Sequence, residues 1–285
     1  MSSRDVETAT PRARSGTLQL FGNELSTQFR RWRTWAMLAA LALIPILLGV
    51  AIRLVGGSSP GRGPAFLDQI TANGLFVSLA ALTVAIPLFL PLTVSVASGD
   101  AIAGEASHGT LRYLLIAPAG RVRLLLVKYL AAVAFCLSAT LTVIAVGVLV
   151  GWILFPVGPV TLITGTLVSV GEGLLRLLAV GAYVSVSLCG LAAIGLFLST
   201  LTTVPIGAMA ATAILAVAAQ IVGAIPQLDA VHPWLFTDRW LDFGDLLRSP
   251  IAWDSFAGNA LLQGGYILVF GLAAIARFTT KDVLS

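Results

Sequence analysis

The amino-acid sequence predicts an all-α, polytopic membrane protein, and three observations lead to that prediction. Hydrophobic residues make up 58% of the 285 residues and charged residues only 11%. The mean hydropathy is +0.96, whereas a soluble domain carries about 25% charged residues. Six runs are apolar enough to cross about 30 Å of hydrocarbon, which takes roughly 20 residues per helix. A large soluble catalytic domain does not fit in the remaining chain.

The amino-terminal region, 1–34, is predicted to be a tail followed by an amphipathic helix. Residues 1–14 are polar and offer too little apolar surface to fold alone. From residue 17 to residue 35, apolar side chains recur at steps of three and four residues, and polar side chains such as Glu24 occupy the other face. This pattern predicts an interfacial helix that leads into the membrane.

Six spans follow within residues 35–276. The predicted spans are about 35–54, 74–97, 129–154, 177–198, 204–225 and 258–276. Pro87 and Pro91 each remove a helix hydrogen bond from the second span, which predicts a kink. Gly147 and Gly151 lie one turn apart in the third span and form a candidate close-packing face. For the segment 157–172 the sequence leaves open a re-entrant or an interfacial structure.

The positive residues are distributed unequally between the two sides of these spans. The side that carries both termini and the central loop, 98–128, has 12 Lys and Arg residues, and the other side has five. The 12 are Arg4, Arg12, Arg14, Arg30, Arg31, Arg33, Arg112, Arg121, Arg123, Lys128, Arg277 and Lys281. The five are Arg53, Arg62, Arg176, Arg239 and Arg248. Because Lys and Arg concentrate in cytoplasmic loops, both termini, including the tail 277–285, and the central loop are predicted to be cytoplasmic in a plasma membrane.

The central loop is the longest interior stretch that cannot lie in hydrocarbon. Leu111, Leu114 and Leu115 are spaced i, i+3 and i+4 and therefore share one face of a short helix. Thr110 is placed to cap that helix and Pro118 to end it. A helix of about two turns is not stable alone, so its apolar face implies that it packs against a surface.

Aromatic and charged residues alternate in the loop 226–257 on the opposite side of the membrane. Such a pattern suits a membrane surface, where one end of each ring is wet and the other apolar. The aromatic residues are Trp234, Phe236, Trp240, Phe243 and Trp253, and the acidic residues are Asp238, Asp242 and Asp245. We expect short interfacial helices here, with the three aspartates on a solvated face.

The residues of the central loop and of both ends of the chain resemble the ABC-2 type permease subunits of ATP-binding-cassette transporters. In the central loop the matching residues are Asp100, Glu105, Gly109, Thr110, Leu111, Leu114, Leu115, Pro118, Arg121 and Lys128. The residues similar to the family's connecting helix are Glu24, Leu25, Arg30, Arg31, Arg33 and Thr34. The residues similar to its closing segment are Arg277, Phe278, Lys281 and Asp282.

The resemblance implies that the central loop is a coupling helix that fits a groove on a separate ATP-hydrolysing subunit, where ATP and Mg²⁺ bind. The loop 199–203 would be a second, smaller contact with that subunit. The resemblance also implies a homodimer or heterodimer among membrane lipids, with no nucleic acid and with the second and fifth spans lining a pathway. The candidate pathway residues are Ser78, Thr83, Thr93, Thr212 and Gln220. Because the spans hold almost no ionisable groups, we expect an apolar or amphipathic cargo, and because the short external loops offer no dock for a substrate-delivery protein, we expect ATP-driven export.

The residues themselves predict that this chain does not hydrolyse ATP and holds no cofactor. Gly56 and Gly61 have the spacing of a phosphate-binding loop. However, Arg62 and Gly63 stand where that loop requires Lys and Ser or Thr. We therefore expect the ATPase to be a partner subunit.

A metal site is not expected either. Glu105 and His108 have the spacing used in carboxylate-bridged metal sites, but such sites need a second pair and further carboxylates.

Other functional classes find less support in the residues. An intramembrane serine protease would need a Gly-x-Ser-Gly setting and a histidine on another span. Ser98 lacks the preceding glycine, and His108 and His232 lie in predicted loops. An ion-driven secondary transporter keeps ionisable groups at mid-membrane, whereas Gln220 and Gln263 are the main polar residues here. That carrier and a non-enzymatic membrane scaffold are the alternatives to a permease.

Overall fold

The fold is described by a computed structural model that covers residues 17–56, 73–107, 109, 120–162 and 164–280. In this part of the chain six helices are long and apolar enough to cross a membrane. The prediction of an all-α, polytopic membrane protein is therefore confirmed. Four predicted features lie outside the described residues: the polar tail, the loop positions 57–72, the chain end 281–285, and the coupling-helix residues Thr110, Leu111, Leu114, Leu115 and Pro118.

The helices are numbered in chain order. They are α1 (Thr17–Arg30), α2 (Trp32–Gly56), α3 (Phe76–Val84), α4 (Leu90–Ser107), α5 (Arg121–Leu154), α6 (Val170–Leu201), α7 (Pro205–Gly223) and α8 (Trp253–Thr280). A π-helical turn, Ala85–Phe89, joins α3 to α4, so that the two form one span. Short 3₁₀ helices occur at Pro226–Leu228, His232–Trp234 and Asp242–Leu247.

Several spanning helices are longer than the apolar runs that predict them. The second span continues to Ser107 rather than 97, and the third begins at Arg121 rather than 129. Residues 98–107 and 121–128 therefore belong to helices and not to a loop, and only residues 108–120 separate α4 from α5. A helix can continue beyond the hydrocarbon without apolar side chains, because its backbone hydrogen bonds are internal.

The amphipathic helix predicted over 17–35 is divided into two elements. α1 and the first span, α2, are separated by the single residue Arg31. The Thr34 hydroxyl donates to the Gln28 carbonyl at 2.6 Å, and the Trp35 indole donates to the Phe29 carbonyl at 2.7 Å. These side chains satisfy carbonyls that the end of α1 leaves without intrahelical partners. The chain can therefore change direction where it enters the membrane.

The kink predicted at Pro87 and Pro91 takes the form of the π-helical turn. Pro87 lies inside this turn and Pro91 is the second residue of α4. A proline removes one donor and crowds the preceding turn, which favours a wider helical turn at this place. The amide of Gln220 in α7 donates to the Pro87 carbonyl at 2.5 Å and so satisfies that group inside the membrane.

The close-packing face predicted at Gly147 and Gly151 is confirmed. A Cβ atom at Gly151 would lie 2.0 Å from the Gly74 carbonyl oxygen, and one at Gly147 would lie 2.7 Å from the Ser78 Cα. The backbones of the second and third spans therefore approach to a distance that only glycine permits.

The most buried spanning helix is α6, which packs against α4, α5, α7 and α8. By contrast, α7 and α8 leave most of their apolar surface uncovered.

The two ends of the bundle differ in the elements that lie there. At one end, which we call the α1 end, α1 lies beside α5, and the beginning of α5 meets the last turn of α8.

The opposite end is covered by a hairpin and by the segment 226–252, which we call the cap. Strand β1 (Val160–Thr161) pairs antiparallel with β2 (Leu167–Val168). The Asn73 amide donates to the carbonyls of Gly158 and Pro159 at 2.9 and 3.2 Å. In the segment 157–172, which the sequence leaves open, the described residues before α6 therefore form a hairpin held against the start of the second span, and α6 begins at Val170.

The cap contains short 3₁₀ helices, and the five aromatic residues of the cap and of the start of α8 are divided between core and surface. Phe236, Trp240 and Phe243 are buried, whereas Trp234 and Trp253 are exposed. The expectation that all five rings lie at a membrane surface is therefore wrong for the three buried ones. They are the side chains that close the gap between the cap and the helices below it.

Hydrogen bonds from helical side chains hold the cap backbone. Arg176 donates to the carbonyls of residues 246 and 248 at 3.0 and 2.7 Å. Tyr183 donates to the carbonyl of residue 239 at 2.6 Å, and Gln263 to that of residue 236 at 2.8 Å. Burial raises the pKa of Asp242 in the cap above its usual range, and the nearby Arg239 charge opposes that rise.

Candidate coupling site at the α1 end

A buried cation joins three helices at the α1 end. The Lys128 ammonium on α5 donates to the Glu24 carboxylate on α1 at 3.0 Å and also pairs with the Glu105 carboxylate on α4. Its side chain is only 1% exposed, and those of Glu24 and Glu105 are 25% and 15% exposed. A cation buried to this degree requires paired carboxylates. We call these three residues the Lys128 cluster, and it ties α1 to both helices that flank residues 108–120.

A second ion-pair cluster lies at the α1–α2 junction. The Asp100 carboxylate on α4 accepts hydrogen bonds from Arg31 at 3.0 Å and from Arg33 at 3.3 Å. Arg33 also contacts the Met209 sulfur on α7 at 3.7 Å. Arg30, which resembles a connecting-helix residue, is exposed and forms no ion pair within the described part of the chain. Arg31 and Arg33, rather than Arg30, therefore anchor the junction.

The two clusters border one polar cavity of about 50 Å³. Glu24, Arg31, Asp100 and Lys128 line it together with apolar side chains of α2, α4 and α5. A volume of this size holds one or a few waters and is far below the several hundred Å³ of a ligand pocket. The cavity is therefore part of the helix junction and not a cargo site.

Arg121 and Gly109 lie at the two helix ends that border residues 110–119. The Arg121 guanidinium donates to the carbonyls of Phe278 and Thr279 at 3.4 and 2.9 Å. These carbonyls belong to the last turn of α8, where acceptors lack intrahelical donors. Gly109 has φ +70°, a left-handed conformation that suits glycine just after a helix. Arg121, which the resemblance implies in the ATPase contact, thus also fastens α5 to α8.

Ser199 is a junction residue whose role the sequence does not reveal. Its hydroxyl accepts hydrogen bonds from the amides of Ile102 and Ala103 at 3.0 and 2.8 Å and donates to the Gly99 carbonyl at 2.7 Å. The side chain is fully buried. Its only sequence signal is its position at the start of the turn 199–203. The end of α6 is thereby joined to the last turns of α4.

Replacing Ser199 with alanine should lower the stability of the chain, because the side-chain hydrogen bonds that join α6 to α4 are lost. A hydrogen bond contributes about 0.5–1.5 kcal/mol net to stability. The matched control is Ser95→Ala, since Ser95 is equally buried in α4 but bonds only to the Pro91 carbonyl of its own helix. Thermal unfolding in detergent would measure both variants. Equal melting temperatures for the two would contradict the bridging role of Ser199.

The candidate pathway residues are mostly satisfied within this chain. Ser78, Thr93 and Thr212 are buried, Gln220 is half-buried and Thr83 is exposed. The three threonine hydroxyls donate to carbonyls of their own helices. Ser78 donates to a carbonyl of α5, and Gln220 to the π-helical turn. Their contribution to a pathway stays a prediction.

Comparison with known proteins agrees with this architecture. The family model described as ABC-2 family transporter protein matches residues 18–232, about three quarters of the chain. The probable ABC transporter permease protein NosY of Pseudomonas aeruginosa is 36% identical over 93 residues. That alignment covers 33% of this chain and 31% of NosY, so the chain matches about a third of the length of this relative. On the breadth of the family match, this multi-pass membrane protein belongs to the ABC-2 family of transporter proteins.

Proposed function

We propose that this chain is the permease subunit of an ABC transporter and forms the membrane pathway for ATP-driven export. Family membership and the six spanning helices support a subunit that is embedded in the membrane. The permease named among its relatives supports the same role. ATP and Mg²⁺ would bind to a separate ABC ATPase, and both termini would lie in the cytoplasm beneath the plasma membrane.

The Lys128 cluster is the observation that carries this proposal. Residues 108–120 would dock on the ATPase, and any displacement of them must act on the end of α4 and the beginning of α5. Glu105 and Lys128 hold those two helix ends together, and Glu24 adds α1 to the same unit. Such a unit moves as a rigid body, which is the kind of element that an alternating-access mechanism needs.

The movement would reach the remaining helices through two further contacts. Ser199 links α4 to α6, and Arg33 links the α1–α2 junction to α7. The turn 199–203 lies beside these contacts and would be the second, smaller contact with the ATPase. ATP-driven closure of two ATPase subunits would thus tilt the helices of this chain as a set.

The character of the spans supports an apolar or amphipathic cargo. Across the described spans, the acidic residues lie near helix ends, as Asp100, Glu105, Glu172 and Asp254 do. An ion-driven carrier would need ionisable groups at mid-membrane. The pathway would lie between two copies or two related chains, because α7 leaves most of its apolar surface uncovered.

The Leu114→Asp variant tests this proposal by co-purification from the membrane in mild detergent. The wild-type chain should recover an ABC ATPase in stoichiometric amount. Leu114→Asp should reduce that recovery by about tenfold or more, because a carboxylate would be buried in an apolar groove. Membrane insertion should be unchanged.

A matched control is Leu167→Asp, which makes the same change at an exposed position of the hairpin at the opposite end. It should recover the ATPase as the wild type does. Full recovery of the ATPase with Leu114→Asp would show that this segment does not couple the chain to the ATPase. A wild-type chain that is recovered alone would favour the ion-driven carrier or the membrane scaffold.

A further inference from the structure

A groove of about 660 Å³ lies on the outer surface of α8, directly beside the cap. Trp234 and Arg239 of the cap form its upper part, and Leu261 and Val269 of α8 line its lower part. The groove is open to the surroundings, since Trp234, Leu261 and Val269 are 74%, 78% and 58% exposed. Its residues are apolar apart from Arg239 and the Tyr266 hydroxyl, which donates to the cap backbone.

Arg239 places a positive charge at the upper end of this groove. Two other arginines at this end of the bundle, Arg176 and Arg248, each form an ion pair with a carboxylate. Among the residues that the structure describes, no carboxylate lies within ion-pair distance of Arg239. The guanidinium lies against α8 at Gly258, where a Cβ atom would be 2.6 Å from Nη1. The Arg239 charge acts on the nearby Asp242 carboxylate, but within the described part of the chain no ion pair holds the guanidinium, so it can donate to an anion that enters the groove.

Two glycines shape the groove along α8. Gly258 makes room for the guanidinium, and Gly265, two turns later, has no atom within 4 Å of the place where its Cβ would be. The floor of the groove at Gly265 is therefore open space and not a packed helix contact.

The length of the groove matches one leaflet of a membrane. From 258 to 269 the α8 axis rises about 17 Å at 1.5 Å per residue. Half of a hydrocarbon core about 30 Å thick is about 15 Å. The exposed ring of Trp234 in the upper part of the groove is of the type that contacts headgroups at a membrane surface.

We propose that this groove binds one phospholipid from the leaflet on the cap side. Its phosphate pairs with the Arg239 guanidinium, which forms strong charge-assisted hydrogen bonds with phosphate oxygens. One acyl chain lies along the 258–269 face of α8. This site is separate from the coupling site and does not depend on how ATP hydrolysis is linked to transport.

Gly265→Leu and Gly264→Leu form a matched pair of variants for this proposal. At both positions no atom lies within 4 Å of the place where a Cβ atom would be, so both variants should fold. Only position 265 lines the groove, so only Gly265→Leu fills the space for the acyl chain. Arg239→Gln removes the charge and keeps a polar side chain of moderate size.

Native mass spectrometry of the full chain in detergent would measure lipid retention. The probes are phosphatidylglycerol and a diacylglycerol with the same acyl chains. Wild type and Gly264→Leu should retain one phosphatidylglycerol per chain, and Gly265→Leu should lose about 90% of it, a tenfold change. Arg239→Gln should lose phosphatidylglycerol to the same extent but leave the weaker binding of diacylglycerol unchanged.

Three outcomes would overturn the proposal. Retention of phosphatidylglycerol by Gly265→Leu at the wild-type level would mean that the lipid binds elsewhere. Displacement of the lipid by glycerol 3-phosphate alone would identify a site for a soluble phosphate. A change from two chains to one in Gly265→Leu, with lipid retention unchanged, would identify the groove as an interface between chains.

Discussion

Replacing Lys128 with methionine should destabilise the chain more than any other single substitution in the Lys128 cluster. The change removes the one cation shared by Glu24 and Glu105 and leaves two carboxylates facing each other in a largely buried site. Breaking a buried ion pair by removing one partner costs about 3–5 kcal/mol. The melting temperature of the detergent-solubilised chain, followed by tryptophan fluorescence, would measure the loss.

A triple variant separates the effect of charge from that of shape. Lys128→Met combined with Glu24→Gln and Glu105→Gln leaves no uncompensated charge, and replacing a whole buried ion pair by neutral groups is often close to neutral. The triple variant should therefore recover much of the stability that Lys128→Met loses. If the single variant were as stable as the wild type, the cluster could not hold α1, α4 and α5 together. In that case the proposed rigid unit would have no physical basis.

Replacing Gly151 with leucine should prevent the normal packing of the second and third spans. Even a Cβ atom at this position would lie 2.0 Å from the Gly74 carbonyl oxygen, and the contacting atoms belong to backbone. A backbone cannot move aside as a flexible side chain can, so the helices would have to separate. Overpacking typically costs about 1–3 kcal/mol and more where the backbone must shift. We expect loss of most folded protein, measured as monodisperse protein after detergent extraction.

Gly264→Leu in α8 is the matched control for this prediction. A Cβ atom at Gly264 meets nothing within 4 Å, so the same substitution should leave the yield of folded protein unchanged or slightly higher. A normal yield from Gly151→Leu would show that the second and third spans do not approach as closely as described.

Features of the fold that depend on local composition can be predicted from the sequence. The six spans follow from apolar runs of sufficient length. The glycine face of the third span follows from the spacing of Gly147 and Gly151, and the distortion near Pro87 follows from the missing backbone donor. In each case the cause lies within one helical turn or within one continuous segment.

The ends of the helices could not be predicted in this way. The hydropathy of the sequence indicates where the hydrocarbon ends. A helix can continue beyond that point as long as its backbone groups are hydrogen-bonded. Helix α4 continues in this way to Ser107, and α5 already begins at Arg121. The central loop is consequently much shorter than its polar sequence suggests.

Contacts between distant positions also could not be predicted. Glu24 and Lys128 are 104 residues apart, and Ser199 is 96 residues from its partner Ala103. Their pairing depends on how the helices cross, which no local pattern encodes. The resemblance to ABC-2 permeases singles out Glu24, Glu105 and Lys128 individually but does not indicate that they form one cluster. Likewise, nothing in the sequence indicates that Arg121 binds the end of α8.

Photo-crosslinking within the co-purified complex tests most directly whether residues 108–120 dock on the ABC ATPase. A benzophenone amino acid would replace Leu114 in one variant and the exposed Leu167, in the hairpin at the opposite end, in another. The proposed coupling predicts a covalent adduct between position 114 and the ABC ATPase, and none from position 167. An adduct from position 167, or none from position 114 while the ATPase still co-purifies, would contradict both the predicted orientation and the coupling role of the central loop.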